Sequence, residues 1–159
     1  LLFLLETQLL HLRAGNWHRL NFTAAELEKV LENLRFESLA RGVEASALAA
    51  EWKAPDHLTL PALISIAPPG IWPELLLDHR RGMAGLLTGI DDAVAANVAL
   101  LEASSGSSPA PEPSQPPADP DLAGSDDLAL LARDANVQRA IAAARAASLP
   151  TLRDFLGLA

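Results

Sequence analysis

Leu2, Leu5, Leu9 and Leu12 recur at steps of three and four, which lays them along one face of an amphipathic helix. The pattern falters at Ala14-Gly15-Asn16 and resumes with Leu20, Thr23, Leu27, Val30 or Leu31, and Leu34. Gly15 either bends the helix or only shifts its seam. A helix is predicted from about Leu1 to Glu51, longer than an ordinary globular helix and suited to one arm of a coiled-coil-like hairpin. Pro55, Pro61, Pro68, Pro69 and Pro73 then interrupt the chain. Between them Leu60 to Ala67 can form a short helix, with Thr59 as its cap and Pro61 in its first turn. The second arm is predicted from about Pro73 to Glu102. Its seam is Leu76, Met83, Leu87, Ile90, Val94, Asn97 and Leu101, and from Met83 onward the steps alternate four and three, a heptad. Asn97 stands on that seam. It either fixes register within the packing or is solvated near the helix end.

The pattern changes at Ala103. Residues 103–127 hold six of the twelve prolines, five acids and no base, and Leu122 is their only large apolar residue. Such a segment buries too little surface to offset the entropy of ordering it, so a flexible linker is predicted. Periodicity returns in residues 128–159. Leu130, Val137, Ile141 and Ala144 form a stripe, with Leu128 and Leu131 beside it, in a helix capped by Ser125 or Asp126 and beginning near Asp127. Pro150 ends it, and Thr151 opens a last helical turn through Leu152, Phe155 and Leu156 in the manner of a capping box. The predicted fold is all-α: a helical hairpin body over 1–102, a linker over 103–127 and a C-terminal helical segment over 128–159.

Composition supports helices and narrows the function. Half the residues are apolar, only 4% are aromatic, and Leu and Ala dominate, a mixture that favours helix over sheet. Cys is absent, which removes disulfides, thiol catalysis and zinc–thiolate sites and fits a reducing compartment. A net charge of −8 argues against nucleic acid and anionic membranes as partners. The charge divides as −5, −5 and +2 over the three regions, so the tail is mildly basic on an acidic protein. Leu1 to Leu5 are apolar, but Glu6 follows at once, and neither a signal peptide nor a membrane span is predicted. The sequence starts without Met, and the first helix is expected to begin upstream of Leu1 if the N-terminus is trimmed.

Residue patterns that carry catalysis are missing. His11 and His18, seven apart, can share a helix face, but no acidic pair completes a metal site. Asp91 and Asp92 are adjacent on a helix and point apart. Phosphate loops, nucleophile elbows and dinucleotide fingerprints do not occur. The chain is therefore not expected to be an enzyme or to hold a cofactor. His79-Arg80-Arg81 is either a solvated helix face or a contact for phosphate or an acidic partner. Trp17, Trp52 and Trp72 either anchor packing near the hairpin ends or serve as partner-binding anchors. The tail has the same two readings: a third core helix folded onto the hairpin, or a mobile element that offers its stripe to another helix.

Several stretches carry a family resemblance: LLFLLETQLLHLRAGNWHRL, AAELEKVLENLRFESLARGVEASALAAEW, APPGIWPELLLDHRRGMAGLLTGIDDAVAANVALL and SLPTLRDFL. In this order they resemble the FlgN-type flagellar export chaperones, most closely the actinobacterial branch. Ile71-Trp72-Pro73 and Asn21-Phe22 depart from the usual pattern at helix boundaries. The resemblance implies a cytoplasmic chaperone that binds flagellar hook-associated proteins, masks their terminal helices and delivers them to the export apparatus. It places client binding in the C-terminal region, here Leu130, Val137, Ile141, Leu149, Leu152, Phe155 and Leu156. The alternative is a structural coiled-coil or dimerisation protein without chaperone activity.

Overall fold

The computed structural model describes residues 1–105 and 120–158, excepting the side chains of 105 and 120–130. All regular structure among the described residues is helical: α1 (Leu2–Arg13), α2 (Leu20–Glu51), α3 (Leu60–Ile66), α4 (Trp72–Ser105), α5 (Pro120–Arg145) and α6 (Pro150–Leu156), with single 3-10 turns at Trp17–Arg19 and Ala146–Ser148. The all-helical class, the two long helices and the C-terminal helix follow the sequence pattern.

The first arm is not continuous. Gly15 adopts φ +69°, a left-handed conformation that costs glycine nothing. The Asn16 amide donates back to His11 O and the Gly15 amide to Leu12 O, which closes the end of α1. The chain then reverses. Leu2 packs against Gly89 and Asn97 bonds the backbone of Leu5, so α1 runs parallel to α4 and antiparallel to α2. The pattern from Leu1 to Glu51 thus encodes two helices with one buried face each, because α4 offers α1 a stripe to pack on. The same break places His11 in α1 and His18 in the turn, so they share no helix face.

α1, α2, α4 and α5 form a four-helix bundle in which α1 and α5 each pack against both α2 and α4. The predicted seams fill its core: Leu5 and Leu12 from α1, Leu20, Thr23, Leu27 and Leu31 from α2, Leu87, Ile90, Asn97 and Leu101 from α4. Asn97 is fully buried, which settles it on the seam and not in solvent. Its Nδ2 donates to Leu5 O at 2.9 Å and to Ala93 O at 2.7 Å, tying α1 to α4 through one side chain. Its Oδ1, and both amide atoms of buried Gln8, have no hydrogen-bond partner among the described residues. Unmet groups of this kind cost about 1–3 kcal/mol each and loosen the seating of α1.

At the other end, α3 closes the bundle. Thr59 Oγ1 accepts from the Ala62 amide, and Pro61 sits in the first turn, as the sequence predicts. Trp52 and Trp72 meet edge to face with ring centroids 5.8 Å apart, joining the end of α2 to the start of α4. Trp17 lies at the α1–α2 turn, with the Arg133 guanidinium 4.7 Å over its ring. All three tryptophans stand at ends of the bundle.

Trp72–Ser104 is apolar and long enough, by length and composition alone, to cross a membrane, although no span is predicted from the sequence. Its buried face packs in the bundle, and Asp91, Asp92 and Glu102 stand on its exposed side.

Candidate functional site

The C-terminal segment begins earlier than its pattern predicts. α5 starts at Pro120, so Ser125 and Asp126 lie inside the helix and do not cap it. α4 runs through Ser105; the remainder of the predicted linker, 106–119, lies outside the described residues. The last turn also starts differently. Leu149 is the residue before α6 and caps it with no side-chain hydrogen bond, Pro150 takes the first helical position, and Thr151 follows inside the helix. Leu149 is held at φ 49°, ψ 56°, a left-handed conformation that costs a branched L-residue about 1–2 kcal/mol. The joint between α5 and α6 is therefore strained.

Beyond the joint the segment continues along the bundle. Val137, Ile141, Leu152 and Leu156 are buried, and Leu149 and Phe155 are half-buried against the same core. Six of the seven residues expected to bind a partner thus form one stripe facing α2 and α4. Leu130 lies in α5, and its side chain is outside the described residues. Leu131 is exposed. Ala140, Ala143, Ala144 and Ala147 are buried between the larger residues, letting α5 approach its neighbours closely. Gly157, at φ +65°, closes α6 over α3; a Cβ there would stand 2.8 Å from Pro61 Cγ.

Electrostatics explain the uneven charge of the sequence. Arg139 grips Glu28 with Nε and Nη2 at 2.9 and 2.6 Å and also donates to Asn21 Oδ1. Arg145 pairs with Glu102, and Arg153 with Asp91. The basic tail is matched to an acidic body at three points, with Arg133 on Trp17 a fourth. The hydrogen bond from Arg139 holds the Glu28 carboxyl below the usual carboxylate range, against a smaller opposing effect of burial, and the same contact raises the Arg139 guanidinium. The Glu28 contribution is therefore present above its unfolded value and is lost as pH falls through the depressed one. These pairs are largely exposed, so they orient the tail more than they hold it.

The remaining candidates separate. In His79-Arg80-Arg81, Arg81 pairs with Asp78, while Arg80 Nε donates to Leu156 O at 2.8 Å and so anchors the end of α6. His79 turns to a groove of about 360 Å³ between α2, α3 and α4. No group of three or more His, Asp and Glu is placed to hold a metal among the described residues.

Sequence reasoning missed that groove. It is lined by Glu37, Ala40, Glu44 and Leu48 of α2 and by Leu76 and His79 of α4, with Phe155 of α6 at its base. The signal was present. His79 stands beside Leu76 of the α4 seam, and only the seam itself was read.

No protein-family model matches the chain, and neither a curated protein nor a solved structure matches it.

Proposed function

We propose that this chain is a non-enzymatic export chaperone of the flagellar type III system, which binds hook-associated proteins in the cytoplasm and masks their terminal helices through its C-terminal segment. The resemblance of four ordered stretches of sequence is its starting point. The observation that supports it most is the seating of α5 and α6. An apolar stripe from Val137 to Leu156 rests on α2 and α4, and it passes through a strained, uncapped joint at Leu149. A client helix of similar character can take the same seat or pair with the released stripe, helix against helix. Several buried side chains at about 1.5–3 kcal/mol each supply micromolar or better affinity once ordering costs are subtracted.

A second reading has its own support. The depth of Ile141, Ala144 and Leu156 in the core is what a permanent fourth helix requires, so a structural bundle protein is the alternative. Calorimetry with purified hook-associated proteins separates the two. The chaperone reading expects a complex, weakened about tenfold or more by Phe155→Asp, with helix content unchanged by circular dichroism. Lack of heat with every hook-associated protein, at concentrations well above micromolar, favours the structural reading.

A further inference from the structure

α2 carries two stripes. The one that faces the bundle, through Leu20, Thr23, Leu27 and Leu31, is buried. The other runs through Phe22, Ala25, Lys29, Glu32, Phe36, Leu39 and Val43, at alternating steps of three and four. At 3.6 residues per turn it lies on the far side of the helix, with Phe36 half a turn round from Leu27. Phe22 and Phe36 are each 63% exposed, Leu39 69% and Val43 71%. Large apolar side chains in heptad register on an outward face mark an interaction surface, whereas scattered ones do not.

Two charges interrupt this stripe, Lys29 and Glu32. Both are exposed and pair with neighbours on their own helix, Lys29 with Glu26 at 2.6 Å and Glu32 with Arg35 at 3.2 Å. Exposed pairs of this kind are worth little and exchange readily. Their position in the stripe is the informative part. Outward from the midpoint between residues 29 and 32 the stripe complements itself: Lys29 is matched by Glu32, Ala25 by Phe36 and Phe22 by Leu39. A cation meets an anion, a small residue meets a large one, and two large residues close the end.

We infer that this face docks a second copy of the chain, α2 against α2 and antiparallel, with a two-fold axis passing between residues 30 and 31. Each Lys29 then faces Glu32 of the other copy at the centre, between apolar layers on both sides, and Val43 packs beyond Phe22. The axis carries each flank of α2 onto the same flank of the other copy, which sets Arg35 opposite Glu28 twice. A parallel pair would instead place Lys29 on Lys29 and Glu32 on Glu32, and like charges in juxtaposition oppose association. The seam is short, and each copy carries a net charge of −8, so a Kd of about 10–100 μM is expected. Phe22, Phe36 and Val43 take no part in the seat of the tail, although Leu39 and Arg35 stand at its edge. The pairing therefore does not require α5 or α6 to move, and it stands or falls apart from the binding of a client.

The test is sedimentation velocity on the full chain over a concentration series from about 1 μM to about 1 mM. Monomer passes to dimer, and Phe36→Asp weakens the dimer by about tenfold or more. Lys29→Glu also weakens it by about tenfold or more, and adding Glu32→Lys to that variant restores it, because the central pairs re-form with reversed sign. The chain has no Cys, so introduced thiols report orientation. When Lys29→Cys and Glu32→Cys proteins are mixed and oxidised with copper phenanthroline, the mixed pair cross-links in preference to either protein alone. The substituted positions are exposed, and circular dichroism checks that each variant folds. A chain that stays monomeric throughout the series, a dimer indifferent to Phe36→Asp or Lys29→Glu, or preferential linking of Lys29→Cys to itself would each overturn the inference.

Discussion

Ending the chain after Ser105 is expected to abolish the cooperative thermal transition of the body. α2 and α4 pack chiefly through α1 on one side and α5 on the other. Truncation strips Val137, Ile141, Leu152 and Leu156 from the core and opens the seat lined by Leu31 and Leu34. Four such side chains represent about 6–12 kcal/mol of burial at about 1.5–3 kcal/mol each. That is comparable to the whole stability of an ordinary domain, about 5–15 kcal/mol. The remaining helices are expected to keep much of their helicity, melt broadly and self-associate. Thermal circular dichroism and sedimentation velocity check this. A sharp melt at the original midpoint from a monomer would show that the hairpin is self-sufficient. The same energetics bear on the proposed function: a body that needs a fourth helix accepts one from a client when its own is withdrawn.

Asn97→Asp is expected to destabilise the protein by about 3–5 kcal/mol at neutral pH, the cost of leaving a charge buried and unpaired. Asn97 Nδ2 donates to two carbonyls, Leu5 O and Ala93 O. An ionised carboxylate in its place loses both donors and faces both oxygens. Burial raises the pKa of the introduced acid in the folded state. The penalty is therefore complete above that raised value and absent below the unfolded value, so stability recovers as the solution is acidified. Asn97→Leu removes the unpaired Oδ1 together with the donors and is expected to cost far less. Urea denaturation of the three proteins, at about pH 7 and about pH 4, measures the difference. An Asn97→Asp variant as stable as its parent at neutral pH would place residue 97 in a wet environment and remove the tie between α1 and α4.

What could be read from the chain followed the strength of its periodicity. The seams from Leu20 to Leu31 and from Leu87 to Leu101 are strong repeats, and they are the core. Thr59 and Pro61 announced α3 by cap chemistry, which is local. The reversal at Gly15 was visible only as a weak place, because whether a glycine bends a helix or ends it depends on what the next segment can pack on. Here that is a stripe on α4 some seventy residues away. Helix α5 began earlier than predicted because residues 120–127 are acidic and nearly free of large apolar residues, a composition that suits a linker as well as a helix. The tail stripe was legible as Val137, Ile141, Leu152 and Leu156, but its depth was not: burial depends on the corner left between α2 and α4. The groove beside Leu76 and His79 went unread for a related reason: its lining comes from helices far apart in the sequence.

Amide hydrogen exchange over residues 137–156, with and without a hook-associated protein, tests the exchangeable tail most directly. The proposal expects the protection of these amides to change on mixing, while the α4 core from Leu87 to Leu101, covered by the client helix in place of the tail, stays as it was. Protection of residues 137–156 unaltered by every hook-associated protein would contradict it and leave the C-terminal segment as a permanent part of the bundle.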